Sequence, residues 1–180
     1  MTDLTLLTIC GALRAGSTNR LLLAEAARVF GAAKVVEADL RLPLYDNDLE
    51  DASGIPDEVQ ALADQIRSAD AVVISTPEYN KSLSGVLKNA LDWVSRVPGA
   101  VWRDKPVAIV SAADGRAGGE RAQFALRLCM VAFRPRLLAG PEVMVAQSRS
   151  AFDAAGRLVE PRTIKVLTEL MQALRVEAMR

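Results

Sequence analysis

The stretch that decides the fold is Ala71-Val72-Val73-Ile74-Ser75, followed by the loop Pro77-Glu78-Tyr79-Asn80 and the segment Ser84–Val97. A short β-branched run is typical of a buried strand, and the apolar periodicity of Ser84–Val97 is typical of a helix. The loop therefore lies at the carboxyl end of a strand, where open α/β sheets bind their ligands. Its proline, aromatic ring and two polar side chains favour a flat, hydrogen-bonding ligand.

The alternation of strand and helix patterns continues in both directions along the chain. We predict strands at Leu4–Cys10, Lys34–Ala38, Ala71–Ser75, Pro106–Ala112 and Leu137–Val145, and helices at Asn19–Phe30, Asp57–Ser68, Ser84–Val97, Glu120–Phe133 and Pro161–Met179. This alternation implies an α/β fold of three layers, a five-stranded parallel sheet with helices on both faces. The sequence shows no repeat or interdomain linker, so we expect one domain spanning residues 1–180.

Composition and charge exclude several classes of function. The chain has 22 basic and 22 acidic residues, which predicts no broad attraction to nucleic acid or to a membrane surface. It has no histidine, which excludes a Ser-His-Asp hydrolase and a histidine-ligated zinc site. Cys10 and Cys129 form no metal motif, and their apolar surroundings predict buried thiols.

The same features set an expectation for the compartment. Unpaired thiols are typical of a reducing environment. No run reaches the ~20 apolar residues of a membrane span, and Met1-Thr2-Asp3 lacks the basic start of a secretory signal. We therefore expect a cytoplasmic protein.

The loop after the first strand has the features of an anion site. It reads Gly11-Ala12-Leu13-Arg14-Ala15-Gly16-Ser17-Thr18-Asn19-Arg20 and leads into the first helix. Backbone N–H groups at a helix N-terminus attract anions, and the arginine, hydroxyl and amide side chains here can bind phosphate oxygens. The alternative is that Ser17, Thr18 or Asn19 only caps the helix. The spacing matches neither the dinucleotide nor the nucleoside-triphosphate glycine motif, which favours a single monophosphate.

Two further loops open onto the same edge if the sheet is flavodoxin-like. That fold orders its strands 2-1-3-4-5 and binds its ligand where strands one and three diverge. The loops Arg14–Asn19, Pro77–Asn80 and Ala112–Gly119 would then meet, and the last is small enough for a flat ring to approach its backbone. One side would hold a phosphate and the other a planar heterocycle. The simpler alternatives are a packed surface ring for Tyr79 and a solvated charge for Glu78.

Taken together, these motifs resemble the NAD(P)H-dependent FMN reductase family, which includes bacterial quinone and chromate reductases. The matching segments are Gly11–Arg20, Leu42–Asp46, Pro77–Asn80 with Leu87–Trp93, Lys105-Pro106-Val107, and Gly118-Gly119 with Arg121. The resemblance implies a flavodoxin-like fold with bound FMN. It implies that the phosphate is held by Arg14, Ser17, Thr18 and Asn19, and that the isoalloxazine ring is lined by Pro77, Glu78, Tyr79, Asn80, Ala112 and Gly115.

The resemblance also implies an activity. The family passes hydride from NAD(P)H through FMN to quinones, flavins, azo compounds or chromate by a ping-pong mechanism, with no catalytic side chain required. Lys81 and Arg116 are candidate contacts at the mouth for the NADPH phosphate or an anionic acceptor. Two other functions remain open: a flavodoxin-type electron carrier without reductase turnover, and a non-catalytic domain with a degenerate flavin site. The neutral charge favours the enzyme over the carrier, since carriers are often strongly acidic.

Four positions depart from the family pattern: Ala12, Lys81, Ser84 and Ala112. Ala12 and Ala112 stand where hydroxyl residues are frequent, which predicts weaker retention of FMN. Each lost hydrogen bond is worth about 1 kcal/mol, too little to abolish the site.

Two helices have apolar surfaces wider than a sheet-covering helix needs. The apolar arc of Ser84–Val97 spans roughly 160°, and only Arg121, Gln123 and Arg127 interrupt that of Glu120–Phe133. Such helices are buried on two sides, which indicates either a partner subunit or the C-terminal helix as the second cover. With the resemblance, we expect a homodimer or homotetramer through these two helices.

Overall fold

The sheet has the strand order that the sequence predicts. A computed structural model describes residues 4–180, so Met1, Thr2 and Asp3 of the signal-sequence argument lie outside the described residues. The strands are β1 (Thr5–Cys10), β2 (Lys34–Ala38), β3 (Ala71–Thr76), β4 (Pro106–Ala112), β5 (Arg136–Leu137) and β6 (Val143–Val145). They form one sheet in the order β2-β1-β3-β4-β5, with β6 also paired to β4, and every pairing is parallel. The predicted α/β class and the order 2-1-3-4-5 are confirmed.

Helices cover both faces of this sheet. They are α1 (Thr18–Phe30), α2 (Asn47–Ser53), α3 (Asp57–Ser68), α4 (Gly85–Arg96), α5 (Glu120–Met130, extended by the 3-10 turn Val131–Phe133) and α6 (Pro161–Ala178). α1 and α6 share one face, where Leu22 and Leu167 are fully buried. α3, α4 and α5 share the other, where Ile66 and Trp93 are fully buried. With both faces covered, β3 and β4 are buried along their whole lengths.

The strand register brings three loops to one edge. Cys10 pairs with Ser75, and Thr76 pairs with Ser111, so β1, β3 and β4 end almost level with one another. The loops that follow these strands therefore begin side by side at the carboxyl edge of the sheet. This is the edge at which the sequence predicts a ligand.

The predicted strand Leu137–Val145 is wrong as a continuous element, because the structure divides it into β5 and β6. From Arg136 to Val143 the edge strand advances seven residues while β4 advances four, from Pro106 to Val110. The extra residues leave the ladder in a segment that contains Gly140-Pro141. Proline has no N–H to donate to a neighbouring strand, so regular pairing cannot continue through it.

The helix α2 has no counterpart among the predicted elements. None of its residues is buried, so it lacks the apolar periodicity by which the other helices are recognised. Polar contacts stabilise it: the Asp46 side chain accepts a hydrogen bond from the Asp48 N–H at 2.9 Å, and the Glu50 carboxylate pairs with Arg96 of α4 at 2.9 Å. Asp48 and Glu50 add carboxylates where the helix dipole favours them. Among the described residues, no helix is both long and apolar enough to span a membrane.

Candidate functional site

The loop between β1 and α1 has the backbone arrangement of an anion site. Ser17 is the N-cap of α1, and its Oγ accepts a hydrogen bond from the Asn19 N–H at 3.2 Å. The backbone N–H groups of residues 12–18 donate to no group within residues 4–180. Arg14 is exposed, Thr18 is half-buried, and Arg14 forms no ion pair with any described residue. Unpaired N–H groups and a free guanidinium in front of a helix N-terminus suit a phosphate.

Asn19 turns away from this loop into the protein. Its Nδ2 donates to the Ala112 carbonyl at 2.9 Å, while its Oδ1 accepts from the Ala112 N–H at 3.0 Å and from the Ser75 Oγ at 2.8 Å. A carboxamide offers four hydrogen-bonding positions, so one remains free. A phosphate contact from this side chain, and a flavin contact from the Ala112 backbone, would have to compete with these bonds. Both stay predictions.

The loop after β3 is a tight turn. Tyr79 and Ser82 exchange two backbone hydrogen bonds of 3.0 and 3.1 Å. Asn80 and Lys81, the central residues, have φ angles of 49° and 67°. Two central residues with positive φ define a type I′ turn, a conformation that asparagine adopts more readily than most residues. Asn80 therefore shapes the turn, and its expected contact with a flavin ring stays a prediction.

Glu78 and Tyr79 lie on opposite sides of this turn. The Glu78 carboxylate accepts from the Arg121 N–H at 3.1 Å and from its guanidinium at 3.4 Å, and only 16% of the Glu78 side chain is exposed. The alternative of a solvated charge is therefore wrong. Tyr79 is 55% exposed, so about half of its surface is open to solvent. Glu78 ties the turn to the start of α5, and Tyr79 leaves its ring open to a ligand.

Glycines hold the loop after β4 close to the sheet. Gly119 has φ 96°, and a Cβ there would lie 2.7 Å from the Ser111 Cβ. Gly118 has φ 59°, and a Cβ there would lie 2.7 Å from the Met144 carbonyl carbon. Gly115 differs, because a Cβ at that position would meet nothing within 4 Å. The loop is thus fixed at its end and open at Gly115, where a flat ring could approach.

A buried polar network supports this loop from below. The Ser111 Oγ donates to the Gly118 carbonyl at 2.6 Å and accepts from the Gln123 Nε2 at 2.8 Å. Gln123 also donates to the Val143 carbonyl at 2.8 Å. Ser75, Ser111 and Gln123 were not predicted as supporting residues. Each is fully buried, and the distant partners that make this possible leave no local signal in the sequence.

Two grooves meet at this edge of the sheet. One, of about 430 Å³, is lined by Glu78, Arg121 and the loop 113–119. The other, of about 380 Å³, is lined by Tyr79, the loop 11–14 and residues 84–86. The Pro77–Tyr79 segment separates them. An elongated ligand with an anionic group at one end and a flat ring at the other fits this arrangement.

Comparison with known proteins identifies the family. The sequence profile of the NADPH-dependent FMN reductases matches residues 4–150. The chain belongs to this family. It is 43% identical over 176 residues to an NAD(P)H-dependent FMN reductase of Pseudomonas aeruginosa, covering 97% of this chain and 95% of the relative. It is 38% identical over 174 residues to the quinone reductase of Escherichia coli, covering 94% and 93%.

A solved structure supports the same assignment. The flavoenzyme NAD(P)H:acceptor oxidoreductase FerB of Paracoccus denitrificans matches with a TM-score of 0.86 and 30% identity, covering 97% of each chain. The resemblance drawn from the sequence is therefore confirmed, as are the oxidoreductase class, FMN as the bound flavin and NAD(P)H as the cosubstrate. Family membership favours the enzyme over both the electron carrier and the non-catalytic domain.

The two cysteines of this FMN reductase lie outside the grooves at the sheet edge. Cys10 is buried, and burial raises the pKa of its thiol, so it is a poor nucleophile. Cys129 is only half-buried and lines a separate groove of about 480 Å³ between α4 and the end of α5. The prediction of a buried thiol is confirmed for Cys10 and wrong for Cys129, because that side of α5 is not covered within the described residues.

Proposed function

We propose that this protein oxidises NAD(P)H and reduces quinones or similar small acceptors by a ping-pong mechanism. The observation that carries the proposal is a loop with unpaired backbone N–H groups that lies beside two open grooves at one sheet edge. Bound FMN supplies the redox chemistry, and the protein supplies binding and orientation. Because the grooves are open to solvent, a donor and then an acceptor can use the same place in turn. The similarity to a quinone reductase supports the choice of acceptor.

We assign the residues of the site as follows. Arg14, Ser17 and Thr18 hold the phosphate together with the free N–H groups of residues 12–18. The ring lies against the Pro77–Tyr79 segment and the open loop at Gly115, while Asn80 and Ala112 shape these surfaces from behind. Arg116 is exposed beside the ring groove, and its guanidinium is placed to meet the charged part of a cosubstrate or acceptor.

The test is an absorption spectrum of the purified protein with FMN, followed by steady-state oxidation of NADPH with a benzoquinone. Uptake of FMN and sustained turnover are the expected results. An FMN-loaded protein that is reduced once and does not turn over would favour the electron carrier. A protein that takes up no FMN would favour the degenerate site.

A matched pair of variants tests the phosphate assignment. Arg14→Ala should weaken FMN binding about tenfold, because a charge-assisted hydrogen bond is lost, and should leave riboflavin binding unchanged. Arg103→Ala is the control, since this exposed arginine precedes β4 at the opposite edge of the sheet. Equal losses for FMN and riboflavin in Arg14→Ala would contradict the assignment.

We propose that the protein is a homodimer that associates mainly through α5. Phe124, Leu128 and Val131 form an apolar stripe along this helix and are 51%, 75% and 71% exposed. The apolar arc of α4 is instead buried within the chain, where Trp93 is 0% exposed. The C-terminal helix is wrong as the second cover, because α6 packs on the other face of the sheet.

The stripe is self-complementary in an antiparallel pair. Glu120 begins α5 and Arg134 follows the 3-10 turn, so a twofold axis near Leu128 brings opposite charges together at both ends. Leu128→Glu should convert the dimer to a monomer in light scattering. Val176→Glu, at a 50% exposed valine on α6, is the control and should not. A monomeric wild type, or an unchanged mass for Leu128→Glu, would contradict the interface.

We also propose that residues 1–180 form one domain and that the protein works in the cytoplasm. Both cysteines are free thiols, which supports a reducing compartment. A fluorescent fusion expressed at native level tests the location.

A further inference from the structure

The Asn19 carboxamide lies between the end of the β1–α1 loop and the starts of the loops that follow β3 and β4. It bonds to both backbone groups of Ala112 and to the hydroxyl of Ser75, at 2.8 to 3.0 Å. Asn19 itself comes two residues after Ser17, the N-cap of α1. Ser75 comes two residues before Pro77, and Ala112 directly precedes the loop 113–119. One side chain therefore joins the end of the phosphate loop, at the start of α1, to the starting points of both ring loops.

The burial of this group limits what else it can do. Asn19 is 2% exposed, Ala112 is 2% exposed and Ser75 is 0% exposed. Its oxygen is fully occupied, and one of its two N–H bonds is used. Buried polar groups that lose a partner are costly, so these bonds resist exchange for a bond to a ligand.

We propose that Asn19 is a positioning residue that fixes the phosphate loop relative to the ring loops, and so sets the span that FMN must bridge. The inference rests on the proposed function, because it concerns the same site. It assigns Asn19 a different task from Arg14, Ser17 and Thr18: these contact the phosphate, whereas Asn19 acts through the backbone of Ala112 and the hydroxyl of Ser75. The phosphate and the ring then bind cooperatively, because one end of the ligand is correctly placed only when the other is.

The test compares Asn19→Asp with Thr18→Val. Asn19→Asp is isosteric, keeps the acceptor oxygen and places a second oxygen against the Ala112 carbonyl. Thr18→Val removes only a proposed phosphate donor. For each variant we would measure the Kd of FMN, the Kd of riboflavin and the midpoint potential of bound FMN. Asn47→Asp, the same substitution on the exposed helix α2, is the control and should leave all three unchanged.

The expected results separate the two roles. Thr18→Val should weaken FMN binding about fivefold, with riboflavin binding and the potential unchanged, because a single hydrogen bond is lost. Asn19→Asp should weaken FMN binding about tenfold or more and also shift the potential. Because the new carboxylate charge alone can shift the potential, the neutral variant Ser75→Ala is measured beside it and should shift the potential as well, since the ring loops move there too. In the Asn19→Asp background, Thr18→Val should weaken FMN binding less than in the wild type. The loops that hold the phosphate and the ring of FMN are displaced there, so the two ends of the ligand no longer bind cooperatively.

Three outcomes would overturn the inference: an unchanged potential in Asn19→Asp, strictly additive effects in the double variant, or no effect of Asn19→Asp. An unchanged potential together with unchanged riboflavin binding would make Asn19 a direct phosphate donor. If Asn19→Asp does not fold, Ser75→Ala removes one of the three bonds and should show the same pattern at smaller size; wild-type behaviour in Ser75→Ala would then overturn the inference. Failure of the wild type to bind FMN is a different result, which defeats the proposed function itself.

Discussion

Arg157 binds Glu25 across 132 residues of chain, with 2.7 Å between the Arg157 Nη1 and the Glu25 Oε1. Arg28, one turn further along α1, donates to both oxygens of the same carboxylate at 2.9 and 3.0 Å. The Glu25 side chain is only 3% exposed. This contact fastens the segment after β6 to the first helix. Hydrogen bonds from Arg28, and then from Arg157, lower the pKa of Glu25 despite the opposing effect of burial.

The first prediction concerns stability at acidic pH. Because the pKa of Glu25 is lower in the folded protein than in the unfolded chain, its contribution is complete above the ordinary carboxyl range and is lost as pH falls through the folded pKa. Glu25→Gln should lower the free energy of unfolding by about 2 kcal/mol at pH 7. The difference from the wild type should shrink below about pH 4.

Urea unfolding from pH 7 to pH 3 measures this difference. Glu58→Gln is the control, since Glu58 is exposed on α3 and forms no ion pair with any described residue. A difference between Glu25→Gln and the wild type that stays constant over the whole range would show that the carboxylate charge does not stabilise the fold.

The second prediction separates loop geometry from ligand contact at two glycines. Gly119→Ala should destabilise the protein by about 2 kcal/mol or more, because its φ of 96° and the 2.7 Å approach to Ser111 both oppose a side chain. Gly115→Ala should leave the stability of the free protein unchanged, since nothing lies within 4 Å of the added methyl group. It should still weaken FMN binding if the proposed site is correct, because the methyl group would stand where we propose that the ring approaches. Thermal unfolding with and without FMN distinguishes the two effects. Unchanged FMN affinity in Gly115→Ala would remove this residue from the ring contacts.

The architecture was predictable because each central element has one strong local signal. The strands β3 and β4 are short β-branched runs that are buried on both faces, and α3 has four regularly spaced apolar residues. Where the local signal is weak, prediction failed. The helix α2 depends on polar contacts instead of apolar burial, and the break between β5 and β6 depends on pairing with a distant strand.

The candidate site also contains some features that have a local sequence signal and others that have none. The loop of residues 11–17 and the start of α1 were predicted to within one residue, because a turn and a helix start are local features, whereas their role in binding stays a prediction. The partners of Asn19 and Glu78 are 93 and 43 residues away in sequence, and no local pattern indicates them. The turn at Asn80 was not predicted either, because its type depends on the φ angles of two residues, which a single asparagine does not specify.

The third prediction concerns the cosubstrate. Arg116 lines the ring groove, is exposed and forms no ion pair with any described residue, whereas the nearby Asp114 is paired with Arg149 at 3.2 Å. A free guanidinium at this place can bind the additional phosphate of NADPH. Arg116→Ala should raise the KM for NADPH about tenfold and leave the KM for NADH nearly unchanged. Arg103→Ala serves again as the control at the far edge of the sheet. Equal changes in both KM values would show that Arg116 does not contact that phosphate.

The fourth prediction concerns the segment that links β2 to α2. The Trp93 Nε1 and the Asn89 Nδ2 both donate to the Pro43 carbonyl, at 2.8 and 2.9 Å, and the Tyr45 N–H donates to the Asn89 Oδ1 at 2.8 Å. Trp93 also packs against the Tyr45 ring, with the ring centres 4.9 Å apart and the planes at 90°. The wide apolar arc of α4 is thus covered by this segment of the same chain.

Trp93→Phe and Trp102→Phe form a matched pair that measures the indole hydrogen bond. Both tryptophans are buried, but the Trp102 Nε1 has no hydrogen-bond partner among the described residues. Both variants lose side-chain volume in the core. Only Trp93→Phe also loses a hydrogen bond, which leaves the Pro43 carbonyl with one donor fewer. Trp93→Phe should therefore be the less stable by about 1 to 2 kcal/mol in urea unfolding. Amide hydrogen exchange in residues 40–46 should accelerate in Trp93→Phe alone, because only there does the segment lose one of its hydrogen bonds to α4. Equal exchange in the two variants would mean that apolar packing, and not the Trp93 hydrogen bond, holds the segment in place.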